Sequence, residues 1–246
     1  MSGWLEGRVI ENRHWTRTLF SLRIEAPRLR FEAGQFVRIA LDIEGERVAR
    51  PFSFVNPPHD PVLEFYAVVV PQGPLSPRLE RLAAGDALFV ADNPSGFLVL
   101  SEVPQAQELW LVATGTGIAP FLSILRTETP WSRFGRVVLV HAARFERELV
   151  YRDLVEAIGH DRPGRLSYVT FVSREPAPGS LAGRVPEALR DGRLERAAGP
   201  IGPERSHFML CGNPDMLKDM TAALVARGLR KHRRRSPGHI TLEAFW

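Results

Sequence analysis

Hydrophobic positions in the first hundred residues fall in short runs, several of them alternating with polar positions. The runs at 7–11, 18–25, 35–42, 50–55, 63–70 and 87–91 are rich in Val, Ile and Phe. Pro27, Gly34, Gly45, Pro57, Pro58, Gly73, Pro74 and Gly85 lie between several of them. Short strands at this spacing, bounded by turn residues, predict a small antiparallel β-barrel. The segment 76–82 departs from the pattern. Ser76 suits an N-cap, Pro77 the first helical position, and Leu79 and Leu82 are three apart, which predicts one short helix closing the barrel.

A polar stretch at 101–107 breaks the pattern, and strands then alternate with helical segments. Strands are expected at 108–113, 136–142, 166–172 and 207–211, and helices at 120–126, 149–158, 184–191 and 215–227. That alternation predicts a parallel, Rossmann-like sheet with helices on both faces. The chain therefore reads as two domains, β followed by α/β, over residues 1–103 and 104–246.

Composition narrows the chemistry. At 246 residues there is room for two domains of ordinary size. Cys211 is the only cysteine, which excludes a disulfide framework and a four-cysteine iron–sulfur site. No metal site is expected. No apolar run approaches the roughly 18 residues that span a bilayer, and the first eight residues lack the apolar core of a signal peptide, so a cytoplasmic protein without membrane attachment is expected. The net charge is +4, carried almost wholly by arginine, since Lys218 and Lys231 are the only lysines. Five formal positive charges, Arg230, Lys231, Arg233, Arg234 and Arg235, crowd into six residues. Such a block suits nucleic acid, a lipid surface, an acidic protein or plain solvent.

Three motifs carry candidate chemistry. In Arg50-Pro51-Phe52-Ser53 an arginine, an aromatic ring and a hydroxyl share an expected strand. Gly115-Thr116-Gly117-Ile118-Ala119-Pro120 sits between a strand end and a helix, where glycines admit a pyrophosphate and a helix N-terminus offers free N–H groups. It lacks the Gly-x-Gly-x-x-Gly pattern of the common dinucleotide fold, and a plain turn would also use glycine. Cys211-Gly212-Asn213-Pro214 follows another strand end, where a thiol could face a nicotinamide ring, and where a small buried side chain and a helix cap are equally good accounts.

Taken in this order and over this distance, the three motifs resemble the ferredoxin–NADP⁺ reductase family, most nearly its bacterial flavodoxin/ferredoxin reductases. The likeness extends over essentially the whole chain, including Glu64-Phe65-Tyr66, 75–79 and the end Ala244-Phe245-Trp246. The resemblance implies an FAD-binding barrel at 1–103 and an NADP-binding domain at 104–246 whose aromatic tail returns to the flavin. It further implies hydride transfer between nicotinamide and FAD, and single-electron exchange with ferredoxin or flavodoxin.

The roles it implies are specific. Arg50 and Pro51 belong to the FAD motif, with Arg50 pairing with the pyrophosphate. Phe52, often tyrosine in the family, stacks on the isoalloxazine, and Ser53 lies near its reactive nitrogen. Tyr66, Ala67 and Val68 line the flavin, Leu75 and Ser76 offer N–H groups to the pyrophosphate, and Phe245 or Trp246 packs on the cofactor. Gly115, Thr116, Gly117, Gly212, Asn213 and Pro214 serve NADP, with Thr116 between the two cofactors. Ala143, Arg144, Ser173, Arg174 and Arg184 lie at or beside strand ends, and the arginines there suit a 2′-phosphate where an NAD enzyme places an acidic residue. Ser53, Cys211 and Glu243 surround the reacting atoms. The basic block then faces an acidic carrier. No nucleic-acid motif accompanies it, and a monomer is the family-like expectation. Two alternatives stay open at this point. One is a related reductase serving free flavin or another redox protein. The other is a non-catalytic nucleotide-binding or redox-sensing module.

Overall fold

A computed structural model describes residues 3–244. The chain forms two compact units. One runs through Val99 and takes in Ala119–Thr127, and the other holds Leu100–Ile118 and the chain from Glu128 onward. The segment 119–127, which a single cut at 103/104 assigns to the second domain, therefore packs with the first.

The first unit contains β1 (Trp4–His14), β2 (Leu19–Glu25), β3 (Phe36–Ile43), β4 (Glu46–Ser53), β5 (Leu63–Val68), the short helix α1 (Ser76–Leu79) and β6 (Ala87–Ala91). They build one six-stranded antiparallel sheet in the order β4-β3-β6-β1-β2-β5. The edges approach each other, because Phe54 and Phe65 form an antiparallel bridge just beyond β4 and within β5. Phe20, Leu22, Ile24, Val37, Ile39, Phe54, Phe65, Leu88 and Val90 fill the interior. The β3–β4 turn is Glu44-Gly45, with φ of 53° and 83°, which is the left-handed pair that a two-residue hairpin favours. β4 thus starts four residues before the expected strand. It opens on Glu46 and Arg47, which are charged and exposed as suits an edge strand, and the half-buried Val48 and Ala49 are too short a run to mark a strand.

The second unit begins with β7 (Glu108–Thr114) and a single 3-10 turn at Gly115–Ile118. The chain then passes through α2 (Ala119–Leu125) of the first unit. There the Ser123 hydroxyl donates to the Asn56 carbonyl at 2.7 Å, and Arg126 meets Asp60 at 3.5 Å. The second unit resumes with α3 (Thr129–Arg133), β8 (Arg136–Ala143), α4 (Arg152–Asp161), β9 (Leu166–Val172), β10 (Leu181–Ala182), α5 (Val185–Arg190), α6 (Arg193–Ala198), β11 (Ser206–Gly212), α7 (Pro214–Val225) and β12 (Ile240–Ala244).

The sheet order β10-β9-β8-β7-β11-β12 is all parallel. Consecutive residues of β7 and β8, such as Leu109 through Val112, are fully buried, so both faces of the sheet are covered. Strand order reverses beside β7, the place where open parallel sheets bind ligands. Four elements escape the hydrophobic pattern, namely α3, α6, β10 and β12. The first three have only six residues or fewer, and β12 follows the basic block. α4 starts at Arg152, three residues later than expected, because Tyr151 adopts a left-handed backbone with φ of 67°.

Candidate cofactor sites in the two units

In the first unit the candidate groups lie along two edge strands. Pro51 has no N–H to donate, and only an edge strand such as β4 accommodates it. Arg50 is exposed, donates to its neighbour's carbonyl at Ala49 (2.7 Å), and makes no ion pair among the described residues. Phe52 is half-buried opposite Val37. Ser53 pairs with Phe36 and is buried, and its hydroxyl has no hydrogen-bond partner among the described residues. The Phe54–Phe65 bridge brings Ser53 and Tyr66, one residue away on each side, toward one another. Tyr66 and Ala67 are buried, and Val68 is half-buried.

The start of α1 differs from expectation. Leu75, not Ser76, is the N-cap, and Ser76 is the first helical residue. The Ser76 hydroxyl is turned to accept the Val70 N–H at 2.9 Å, which ties the exit of β5 to the helix. A helix of four residues cannot hold itself. Its C-terminal end is clamped from β1, where the Asn12 amide donates to the carbonyls of Leu79, Glu80 and Leu82 at 3.3, 2.9 and 2.8 Å.

In the second unit the candidates come from the carboxyl ends of parallel strands. Register places Ala113 of β7 beside Cys211 of β11, and Cys211 beside Glu243 of β12. The two glycine turns interlock through backbone. A Cβ on Gly117 would stand 2.7 Å from the Cys211 carbonyl oxygen, and one on Gly212 would stand 2.2 Å from Thr114 Oγ1. Gly212 also has a φ of 126°. The Thr114 hydroxyl accepts the Asn213 N–H at 2.8 Å, and Asn213 in turn caps α7 by accepting from Asp215 and Met216. Pro214 opens that helix. By contrast, a Cβ on Gly115 meets nothing within 4 Å, so the space above this glycine is open. Thr116 is buried.

Cys211 is fully buried, and burial together with the Glu243 carboxylate pushes its thiol well above the usual range. It is therefore a neutral thiol, suited to contact and not to nucleophilic attack. Arg144 and Arg174 are joined by backbone, the Arg174 N–H donating to the Arg144 carbonyl at 2.9 Å. Ser173 donates to the Ala143 carbonyl through both N–H (3.2 Å) and hydroxyl (3.3 Å). Arg184 follows β10, whose Ala182 pairs with Val172. All three arginines are exposed, and none makes an ion pair among the described residues.

The basic block forms a tight turn, with the N–H of Arg233 and of Ser236 each donating to the other residue's carbonyl. Arg234 grips Glu102 through two nitrogens, holding that carboxylate below its ordinary range. Arg230, Lys231, Arg233 and Arg235 are exposed and make no ion pair among the described residues. Phe245 and Trp246 lie outside the described residues. Thr114, Asn12 and His141 belong to none of the three motifs. A hydroxyl at the last position of a strand before a glycine turn, and a lone histidine in the apolar run of β8, are the signals that mark two of them.

These residues fit the expected cofactors. A buried Ser53 hydroxyl without a hydrogen-bond partner among the described residues, beside a half-buried ring, suits a flat heterocycle. The open space above Gly115 and three exposed arginines without ion pairs among the described residues suit a phosphorylated dinucleotide. Fold and site together define a class, the oxidoreductases that place FAD on an antiparallel sheet and a nicotinamide dinucleotide on a parallel one. The family described as "Oxidoreductase FAD-binding domain" matches residues 5–97, and "Oxidoreductase NAD-binding domain" matches residues 111–222.

Over their full lengths, the chain is 49% identical to a flavodoxin/ferredoxin–NADP reductase of Shigella flexneri and 48% identical to that of Escherichia coli (strain K12). A crystal structure of a ferredoxin NADP⁺ reductase from Neisseria gonorrhoeae, with bound FAD and NADP, superposes with a TM-score of 0.93 at 34% identity, covering 98% of each chain. The chain belongs to the flavodoxin/ferredoxin–NADP reductase family.

Proposed function

We propose that this protein oxidises NADPH on its second unit and, through FAD held on the first, exchanges single electrons with ferredoxin or flavodoxin. Bound FAD supplies the conversion between a two-electron nicotinamide and a one-electron carrier. In this reading Arg50 and the first turn of α1 hold the pyrophosphate. Phe52 covers the ring, and the buried Ser53 hydroxyl gives it a hydrogen-bond partner. Tyr66, Ala67 and Val68 line it from β5. Cys211, held neutral beside Glu243, packs against the nicotinamide, and the interlocked turns at 115–117 and 212–214 exclude water there. Neither side chain acts as a general base, because hydride exchange requires none.

The observation that carries the preference for NADPH is the trio Arg144, Arg174 and Arg184, which have no carboxylate partners among the described residues. A dianionic 2′-phosphate supplies the missing charge, and a ribose hydroxyl does not. The exposed Arg230, Lys231, Arg233 and Arg235 suit an acidic carrier by complementary charge, and the names of the relatives agree. One buried, reduced cysteine suits a reducing compartment, and we assign the protein to the cytoplasm as a monomer of 27.6 kDa.

Anaerobic titration tests the reading. Flavin bleaching at far lower NADPH than NADH, followed by reduction of added ferredoxin or flavodoxin, is expected. Arg174→Glu combined with Arg144→Glu should reduce the NADPH-to-NADH preference by about two orders of magnitude, since each hydrogen bond to a charged group contributes about 1.5–3 kcal/mol. Equal response to both nucleotides in the wild type would remove the NADP assignment.

A further inference from the structure

His141 stands in the middle of the second unit's sheet, between Ala113 of β7 and Thr170 of β9. It is fully buried in a strand otherwise composed of Val, Leu and Ala from 137 to 143. Its Nε2 lies 3.2 Å from the carbonyl oxygen of Gly115. A carbonyl only accepts, so Nε2 carries the proton. Burial keeps the ring neutral, lowering its pKa to about 4, and Nδ1, left bare, has no partner among the described residues.

A neutral, single-contact histidine is an unusual occupant of an apolar strand. Its one hydrogen bond reaches the first residue of the Gly-Thr-Gly turn. Gly115 has a φ of 53° and open space above it. The peptide that follows can therefore rotate without the side-chain clash another residue would meet. The bonds of a lone 3-10 turn have poor geometry and hold this peptide weakly. In a planar trans peptide the Gly115 carbonyl and the Thr116 N–H point in opposite directions. A donor that captures the carbonyl on the sheet side thereby turns the Thr116 N–H away from the sheet.

We propose that His141 is a positioning residue for nucleotide binding, whose Nε2–H latches the Gly115–Thr116 peptide so that the Thr116 N–H is offered to an acceptor oxygen in the non-adenosine half of NADP(H). The proposal rests on the reading of the second unit as the NADP domain and adds a residue to it. It also accounts for histidine in place of valine at this point. An apolar side chain leaves the Gly115 carbonyl without its donor and the peptide free to flip, which would present a carbonyl to an anionic ligand.

Two variants of the FAD-loaded protein separate a latch from a merely structural role. His141→Leu removes the donor, and His141→Gln keeps an N–H at the place of Nε2. Calorimetric titration uses two probes, NADP⁺ and adenosine 2′,5′-bisphosphate, which lacks the nicotinamide half. His141→Leu should weaken NADP⁺ about tenfold, the equivalent of one lost hydrogen bond, while the bisphosphate binds within about twofold of wild type. His141→Gln should recover most of the NADP⁺ affinity, and bound FAD per protein should be unchanged in both. Unaltered NADP⁺ affinity in His141→Leu, equal loss for both probes, or no recovery with glutamine would each overturn the proposal. A wild-type protein that bound neither probe would instead overturn the NADP reading on which it stands.

Discussion

The two units assemble their candidate groups in different ways. The first sets Arg50, Phe52 and Ser53 along one strand and Tyr66 to Val68 along another, so each group's place follows from local strand geometry. The second draws on the ends of β7 to β12, and neighbours in space such as Ala113, Cys211 and Glu243 are far apart in the chain. Its glycine turns are pressed together at Gly117 and Gly212, where there is no room for a methyl group. The polar interiors differ too. His14 and His59 of the first unit are exposed, whereas the second buries His141 and His207. A site made from strand faces tolerates change in single residues. One made from strand ends depends on the whole sheet keeping its register.

Acid should expose that difference most strongly. Burial lowers His141 to about 4, and burial with the neighbouring His232 and His239 lowers His207 to about 3, from an ordinary 6.5. Both are neutral when folded and protonate when unfolded. Their contribution is therefore complete above pH 6.5 and is lost as pH falls toward the folded values. At pH 5 the loss is about 2 kcal/mol per histidine, or about 4 kcal/mol for the pair. Hydrogen exchange between pH 7.5 and 5 should show amides of β8 and β11 losing protection while those of β2 and β3 keep theirs. Simultaneous loss in both units would remove the contrast.

The interlocked glycines come next. Gly117→Ala and Gly212→Ala each force a methyl group to within 3 Å of backbone in the opposite turn. Overpacking of this kind costs about 1–3 kcal/mol, and Gly212 adds the strain of a left-handed backbone. NADP⁺ affinity should fall at least about fivefold for a cost of that size, with FAD content unchanged. In contrast, Gly115→Ala has room for its methyl group and bears only the cost of its φ. Equal effects at 115 and 117 would show that packing between the turns is not what matters.

The same contrast explains what was legible in the sequence. Most strands of the parallel sheet are continuous apolar runs, because they are buried on both faces, and hydrophobicity alone locates them. β12 is short and follows the basic block, and with it went the neighbour relation of Cys211 and Glu243, which only the register creates. β4 lost its start for the opposite reason, since an edge strand can open on charged, exposed residues such as Glu46 and Arg47. The individual motifs were readable because their turns need glycine locally. Their partners Thr114 and His141 were not, because a hydroxyl or an imidazole gains its meaning only from the backbone group it meets across the sheet.

In the first unit, the most informative change removes a single oxygen. Ser53→Ala deletes a buried hydroxyl that has no hydrogen-bond partner among the described residues. Such a group costs about 1–3 kcal/mol to bury, so the flavin-free protein should be as stable as wild type or up to about 1 kcal/mol more stable. The flavin-loaded protein should show the reverse, with weaker FAD retention or slower reduction by NADPH. A Ser53→Ala variant that is destabilised without flavin would mean that the hydroxyl serves the fold and not the cofactor.

The smallest effects belong to the basic turn, where four cations make no ion pair among the described residues and one is engaged. Neutralising Arg233 and Arg235 together should leave the thermal midpoint and the reduction of flavin by NADPH unchanged, because neither side chain makes an ion pair among the described residues. Electron transfer to an acidic carrier should slow several-fold at low salt, and the difference should close near 0.5 M salt, where screening shortens the reach of charge to roughly 4–5 Å. Arg234→Ser belongs to a different class. It frees Glu102, whose carboxylate is now held below its ordinary range, and so alters the local charge by both losing a cation and exposing an anion. If all three arginines proved equivalent in salt dependence, the turn would be acting as a diffuse charge and the grip on Glu102 would be incidental. A larger effect from Arg234→Ser would instead show that the Glu102 contact holds the other cations where the carrier meets them.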